Sequence, residues 1–149
     1  MKLQVTISEI THEDLVNLLC TATYGSNIFS CHFKKSSYYG TDIEKDEDVR
    51  EDKWASVLLS GKPVYVYDHE AEDEDDFYGN LPHNWKEDDE CMRYEVTLDD
   101  IKKGIEKAIE NGGYARQAAI DLIEEAGNLD IDGAECLLQK IVFGEVIYG

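Results

Sequence analysis

Cys91-Met92-Arg93-Tyr94-Glu95-Val96-Thr97-Leu98-Asp99-Asp100-Ile101 changes its period halfway along. Met92, Tyr94 and Val96 alternate with polar residues, which predicts a half-buried strand over about 91–97. From Thr97 onward, Ile101, Ile105, Ala108 and Ile109 recur at helical spacing, with Thr97 placed to cap the first turn. A strand therefore hands over directly to a helix, and the two sides of this junction differ in kind.

Upstream, strand patterns dominate. Leu3, Val5 and Ile7 alternate, as do Phe29, Cys31 and Phe33 over about 28–34, and Val64-Tyr65-Val66-Tyr67 is β-branched or aromatic throughout. Two helices are interleaved. Thr11-His12-Glu13-Asp14 resembles a capping box ahead of Leu15, Leu18, Leu19 and Ala22, giving a helix over 12–23 that Gly25 ends. Trp54, Val57 and Leu58 predict a second, ending near Gly61. Downstream, helices crowd together: one closed by Asn111-Gly112-Gly113, one over about 114–126, and one opening at Asp132, carrying Leu137, Leu138, Ile141 and Val142, and broken by Gly144. Val146-Ile147-Tyr148 is an apolar tail expected to dock on the body. This order reads as a single α+β domain over 1–149: a small antiparallel sheet of three to four strands packed against helices, with a helical C-terminal third and a long acidic loop at about 68–90.

The chain has 149 residues, of which 37 are Leu, Ile, Val or Phe, enough for a core without staples. No apolar run is long enough for a signal peptide or a membrane span, and four scattered cysteines suit a reduced, cytoplasmic setting. Acids outnumber bases 33 to 14, a net charge of −19. Residues 41–100 hold most of the excess, with 21 acids against six bases. Such a chain does not neutralise phosphates, so direct nucleic-acid binding and anionic membrane surfaces are disfavoured. Its field attracts cations or the basic groove of another protein.

The acids come in runs. Asp68-His69-Glu70-Ala71-Glu72-Asp73-Glu74-Asp75-Asp76 is seven-ninths acidic, Glu87-Asp88-Asp89-Glu90 is a second run, and Asp46-Glu47-Asp48 with Glu51 and Asp52 a third. In extended chain, same-face carboxylates lie about 6.6 Å apart, so such rows approximate the phosphate track of a nucleic acid, offered to a protein that binds one. The residues expected to contact such a partner are Asp46, Glu47, Asp48, Glu70, Glu72, Asp73, Glu74, Asp75, Asp76, Glu87, Asp88, Asp89 and Glu90, with Tyr78 as an aromatic anchor.

The same loop offers metal ligands. Asp68, His69, Glu70, Glu72, Asp73 and His83 fall within 16 residues, and Asp68, Asp73 and His83 are the set expected to hold one divalent ion, zinc favoured by the imidazole. Cys31-His32 with Cys20 or Cys91 is an alternative zinc set. Asn128-Leu129-Asp130-Ile131-Asp132-Gly133 begins like a calcium loop but puts Gln139 where a bidentate Glu is needed, so Asp132 reads as a helix cap. No glycine-rich phosphate loop, nucleophile elbow or zinc-protease signature occurs, and no catalytic residue is assigned.

Val64-Tyr65-Val66-Tyr67-Asp68 leading into the acid run and Phe77-Tyr78-Gly79-Asn80-Leu81-Pro82-His83, together with Tyr94-Glu95-Val96-Thr97-Leu98-Asp99-Asp100-Ile101 and the closing Ile141–Gly149, resemble short acidic proteins of bacteriophages and mobile elements. Some proteins of that setting are anti-CRISPR inhibitors, several acting on Cas9. The resemblance implies an inhibitor that binds a Cas9-type nuclease on a basic, nucleic-acid-contacting surface and blocks loading of target DNA. It implies no active site and no required cofactor. A small metal-binding accessory domain, or an adaptor of a mobile element, is the alternative.

Overall fold

A computed structural model describes residues 9–33 and 50–149. The strand expected over 3–7 and the acids Asp46, Glu47 and Asp48 lie outside the described residues. The elements run α1 (His12–Thr23), β1 (Phe29–His32), α2 (Arg50–Leu59), β2 (Val64–Asp68), β3 (His83–Lys86), β4 (Cys91–Val96), α3 (Leu98–Asn111), α4 (Tyr114–Glu124) and α5 (Ile131–Phe143). Among the described residues four strands form one antiparallel sheet in the order β1-β2-β4-β3. With helices filling the C-terminal part, this is an α+β fold.

The strand-to-helix junction folds as its sequence requires. The Thr97 hydroxyl accepts the Asp100 amide while the Asp100 carboxylate accepts the Thr97 amide, a reciprocal capping box that Thr11 and Asp14 repeat on α1. Register places Phe29, Asp68, Met92 and Trp85 in one cross-strand row and Cys31, Val66, Tyr94 and His83 in the next, all on the face toward the helices. Ser30, Tyr67, Arg93 and Asn84, with His32, Tyr65 and Glu95, occupy the other face. Helix α5 packs against α1, α3 and α4 and joins these three into one layer, while α2 packs on α1. Gly104 permits this closeness: a Cβ there would lie 2.6 Å from the Ile141 Cα of α5.

Three boundaries differ from the sequence expectation. The segment from 68 to 90 is not one loop, because His83–Lys86 pairs along β4 as an edge strand. The second helix starts at Arg50, four residues ahead of Trp54, the first residue of its apolar spacing. The last helix is capped by Asp130 rather than Asp132. The Asp130 Oδ1 accepts the Gly133 amide at 2.7 Å, and Ile131 begins the helix with its side chain 46% exposed. Among the described residues no helix is long and apolar enough to cross a membrane.

Candidate binding face

Strand β2 carries the acidic segment out of the core, and Asp68 is where it leaves. Asp68 points to the helix side of the sheet and is 0% exposed. Its Oδ1 accepts the Glu70 amide at 2.9 Å, and its Oδ2 accepts the Tyr148 hydroxyl at 2.8 Å. Burial raises the carboxyl above its ordinary range; the Tyr148 and Glu70 hydrogen bonds pull it back, and the Asp76 charge pushes it further up. A buried carboxylate with this many donors is an anchor for the backbone that follows it.

That backbone is not extended. The Asp75 amide donates to Asp73 Oδ1 at 2.9 Å, the Glu72 amide to Asp76 Oδ2 at 3.0 Å, and the Asp76 amide to the Asp73 carbonyl at 3.1 Å. Short aspartate side chains close turns on amides two to four residues away, and this coiling replaces the straight row of carboxylates expected from the run. Asp73 and Asp76 thus act on the loop itself. Glu70, Glu72, Glu74 and Asp75 project from it and are exposed.

Aromatic rings hold the far end of the loop. The Tyr78 amide donates to the Tyr94 hydroxyl at 3.2 Å, and the Tyr78 ring meets Phe143 edge-on at 5.4 Å and Tyr148 at 6.3 Å between centroids. Tyr78, expected to anchor a partner, is therefore half-buried and anchors its own loop. Gly79, with φ +75°, lies so close to α5 that a Cβ would stand 2.8 Å from the Phe143 carbonyl oxygen. Phe77 stays 45% exposed and stacks on His83 at 4.1 Å, while His83 Nδ1 lies 2.9 Å from the Leu81 carbonyl oxygen. The C-terminal tail completes the enclosure. Gln139 Oε1 accepts the amides of Ile147 and Tyr148, each at 2.8 Å, and its Nε2 donates to the Tyr148 carbonyl at 3.1 Å. Burial, then the bond to Asp68, raises the Tyr148 phenol; burial also carries the Tyr94 phenol up to about 12.

The second acid run, 87–90, is the fully exposed turn between β3 and β4. Tertiary structure brings it to the first. Glu74 from the loop shares one shallow groove with Glu87 and Asp88 of the turn and with Asn84, Trp85 and Lys86 of β3. No residue of 70–76 or 87–90 takes part in an ion pair with another described residue; Lys103–Asp99, and His12–Asp52 when the imidazole is protonated, pair elsewhere, each at 2.9 Å. Of the third run, Glu51 accepts the Tyr24 hydroxyl and Asp52 pairs with His12, both against α1.

The expected metal ligands do not meet. Among the described residues no three His, Cys, Asp or Glu side chains group as a metal set. Asp68 is committed to Glu70 and Tyr148, Asp73 to its turn, and His83 sits on β3, across β4 from Asp68. Two strand spacings put those backbones about 10 Å apart. Cys31 and His32 are neighbours on a strand and point to opposite faces, so they cannot share an ion there. Burial raises the thiols of Cys20 and Cys136 and carries that of Cys91 up to about 11, leaving all three protonated at neutral pH.

Sequence patterning missed two elements of this face: strand β3 and the Gln139 clamp on the tail. A buried glutamine amid an apolar helical stripe, as Gln139 is at 1% exposure, is the signal that marks the second. A search of protein-family models, curated proteins and solved structures finds no match to this chain.

Proposed function

We propose that this protein inhibits a nucleic-acid-handling effector, a nuclease of the Cas9 type, by docking its acidic face on a basic surface where that effector contacts nucleic acid. The observation that carries this reading is the groove at which two acid runs, separate in sequence, stand together beside Lys86 and form no ion pair with any described residue. Massed like charge costs self-repulsion in the free protein. A cationic partner relieves that repulsion, and an intramolecular salt bridge would have lowered the attraction. A Cas9-type effector holds its guide–target duplex in a positively charged channel. Occupying that channel or its approach blocks target DNA without any chemistry by the inhibitor. The resemblance to acidic mobile-element proteins favours this class of partner over other basic proteins.

The structure also says which acids to change. Asp73 and Asp76 close turns, so their loss would confound charge with loop shape. Glu72, Glu74 and Asp75 are exposed and their side chains carry no such bond. A Glu72→Gln, Glu74→Gln, Asp75→Asn variant is expected to bind a Cas9-type nuclease more weakly and with a shallower dependence on salt, since exposed charges are screened beyond about 8 Å at physiological ionic strength. Nuclease inhibition and binding at two salt concentrations test this. Undiminished inhibition by the variant would refute the acidic-groove reading.

A further inference from the structure

The outer face of the sheet carries a cluster that the proposed docking does not use. Ser30 Oγ lies 3.0 Å from His32 Nε2 and 2.7 Å from His69 Nε2. The two imidazole nitrogens are therefore less than about 6 Å apart, and both belong to one side of the β1–β2 pair. Register explains the meeting. Ser30 pairs with Tyr67, and the His69 amide extends the ladder by donating to the Ile28 carbonyl at 2.8 Å. His32 and His69 thus flank Ser30 from opposite directions, and the Tyr67 ring lies tilted beside His32, 4.3 Å between centroids. A hydroxyl has one proton: it donates to one ring and accepts the N–H of the other.

We propose that His32 and His69 form a two-imidazole site for a borderline divalent transition ion, zinc or nickel. Imidazole nitrogen selects this class over calcium or magnesium, which take oxygen ligands. Zinc–nitrogen bonds of about 2.0–2.1 Å require the two Nε2 atoms to draw together and Ser30 Oγ to turn aside, which side-chain rotation at half-buried His32 and exposed His69 supplies. The net charge of −19 raises the local concentration of any dication without choosing among them. The set differs from the one expected in sequence, which grouped His69 with Asp68 and His32 with Cys31.

Calorimetric titration of the intact protein, purified without chelating resin, with zinc chloride tests the site. Wild type is expected to bind one zinc through these residues. His32→Ala and His69→Ala are each expected to weaken that binding beyond the ~10–100-fold that loss of a mere supporting partner costs. His83→Ala and the Glu72→Gln, Glu74→Gln, Asp75→Asn variant are expected to retain it, and circular dichroism reports whether each variant is folded. Calcium chloride should not compete. The inference is overturned if wild type takes up no zinc at millimolar concentration. It is equally overturned if folded His32→Ala and His69→Ala bind zinc as wild type does, or if binding follows the carboxylates instead.

Discussion

The helical layer and the acidic loop of residues 69–82 are held by opposite kinds of force. In the layer, α5 lies against α1, α3 and α4 through Leu137, Leu138, Ile141 and Val142, all buried, and stability comes from apolar area. The loop buries little beyond Ala71 and parts of Asp76, Tyr78 and Leu81. It is held by a short list of directed contacts: Asp68 to Tyr148 and Glu70, Tyr78 to Tyr94, and Gly79 against the end of α5. The layer tolerates many single losses in proportion to area, whereas the loop depends on a few polar groups with no substitutes. The contrast also explains how a segment so rich in like charge keeps a shape: it is fixed at its two ends and by the turns that Asp73 and Asp76 close between them.

Breaking the layer should have the largest effect. Gly104→Ala forces a methyl onto the backbone of α5, and overpacking of this kind costs about 3 kcal/mol, at the top of its usual range. Urea unfolding should show a lower midpoint, with hydrogen exchange accelerated in α3 and α5 alike. Next comes Asp68→Ala, which orphans the Tyr148 hydroxyl and the Glu70 amide for a cost of about 2 kcal/mol. Here the gain in exchange should concentrate in 69–82 and the tail; a uniform rise across the helices would break the contrast between layer and loop.

Asp68→Asn sharpens it through pH. Burial holds the Asp68 carboxyl above its ordinary 3.8, so the folded chain keeps this proton more tightly than the unfolded chain. Its stabilising contribution is therefore complete below pH 3.8 and falls as pH rises through the elevated folded value. Asn does not titrate, so the stability of Asp68→Asn relative to wild type should improve as pH rises from about 4 to 7. A flat difference would show that the carboxylate ionises as readily inside as outside.

Smaller still is Gln139→Ala, which removes the acceptor of two tail amides and should cost about 1 kcal/mol, read as faster exchange at Ile147 and Tyr148. The smallest is neutralising Glu72, Glu74 and Asp75. Exposed and away from any anchor, these should change stability by no more than about 0.5 kcal/mol, so any loss of partner binding by that variant reflects the surface and not the fold.

Much of the layer was legible. Thr11 and Thr97 announce their helices because a capping box is local, set by residues three apart. The docking of Ile147 and Tyr148 follows from an apolar end, although Val146 between the helix and them stays 44% exposed. Strand β3 escaped because His83-Asn84-Trp85-Lys86 has no clean alternation: an edge strand buries little and is specified by backbone bonding to β4. Asp130 and Asp132 are equally good caps by type. The choice fell to Asp130 because Gly133, whose amide it binds, packs against Ala118, a contact made between helices.

For the candidate face, the residues alone established composition and sign: how many carboxylates, in which runs, and that no motif of known catalysis accompanies them. Those follow from side-chain chemistry and need no fold. Only tertiary structure decided which acids are turned inward to close turns and which face outward, that the runs at 70–76 and 87–90 share a groove, and that His32 meets His69. Such pairings depend on strand register and on the tail closing over Asp68, contacts between positions up to 80 residues apart that no local pattern encodes.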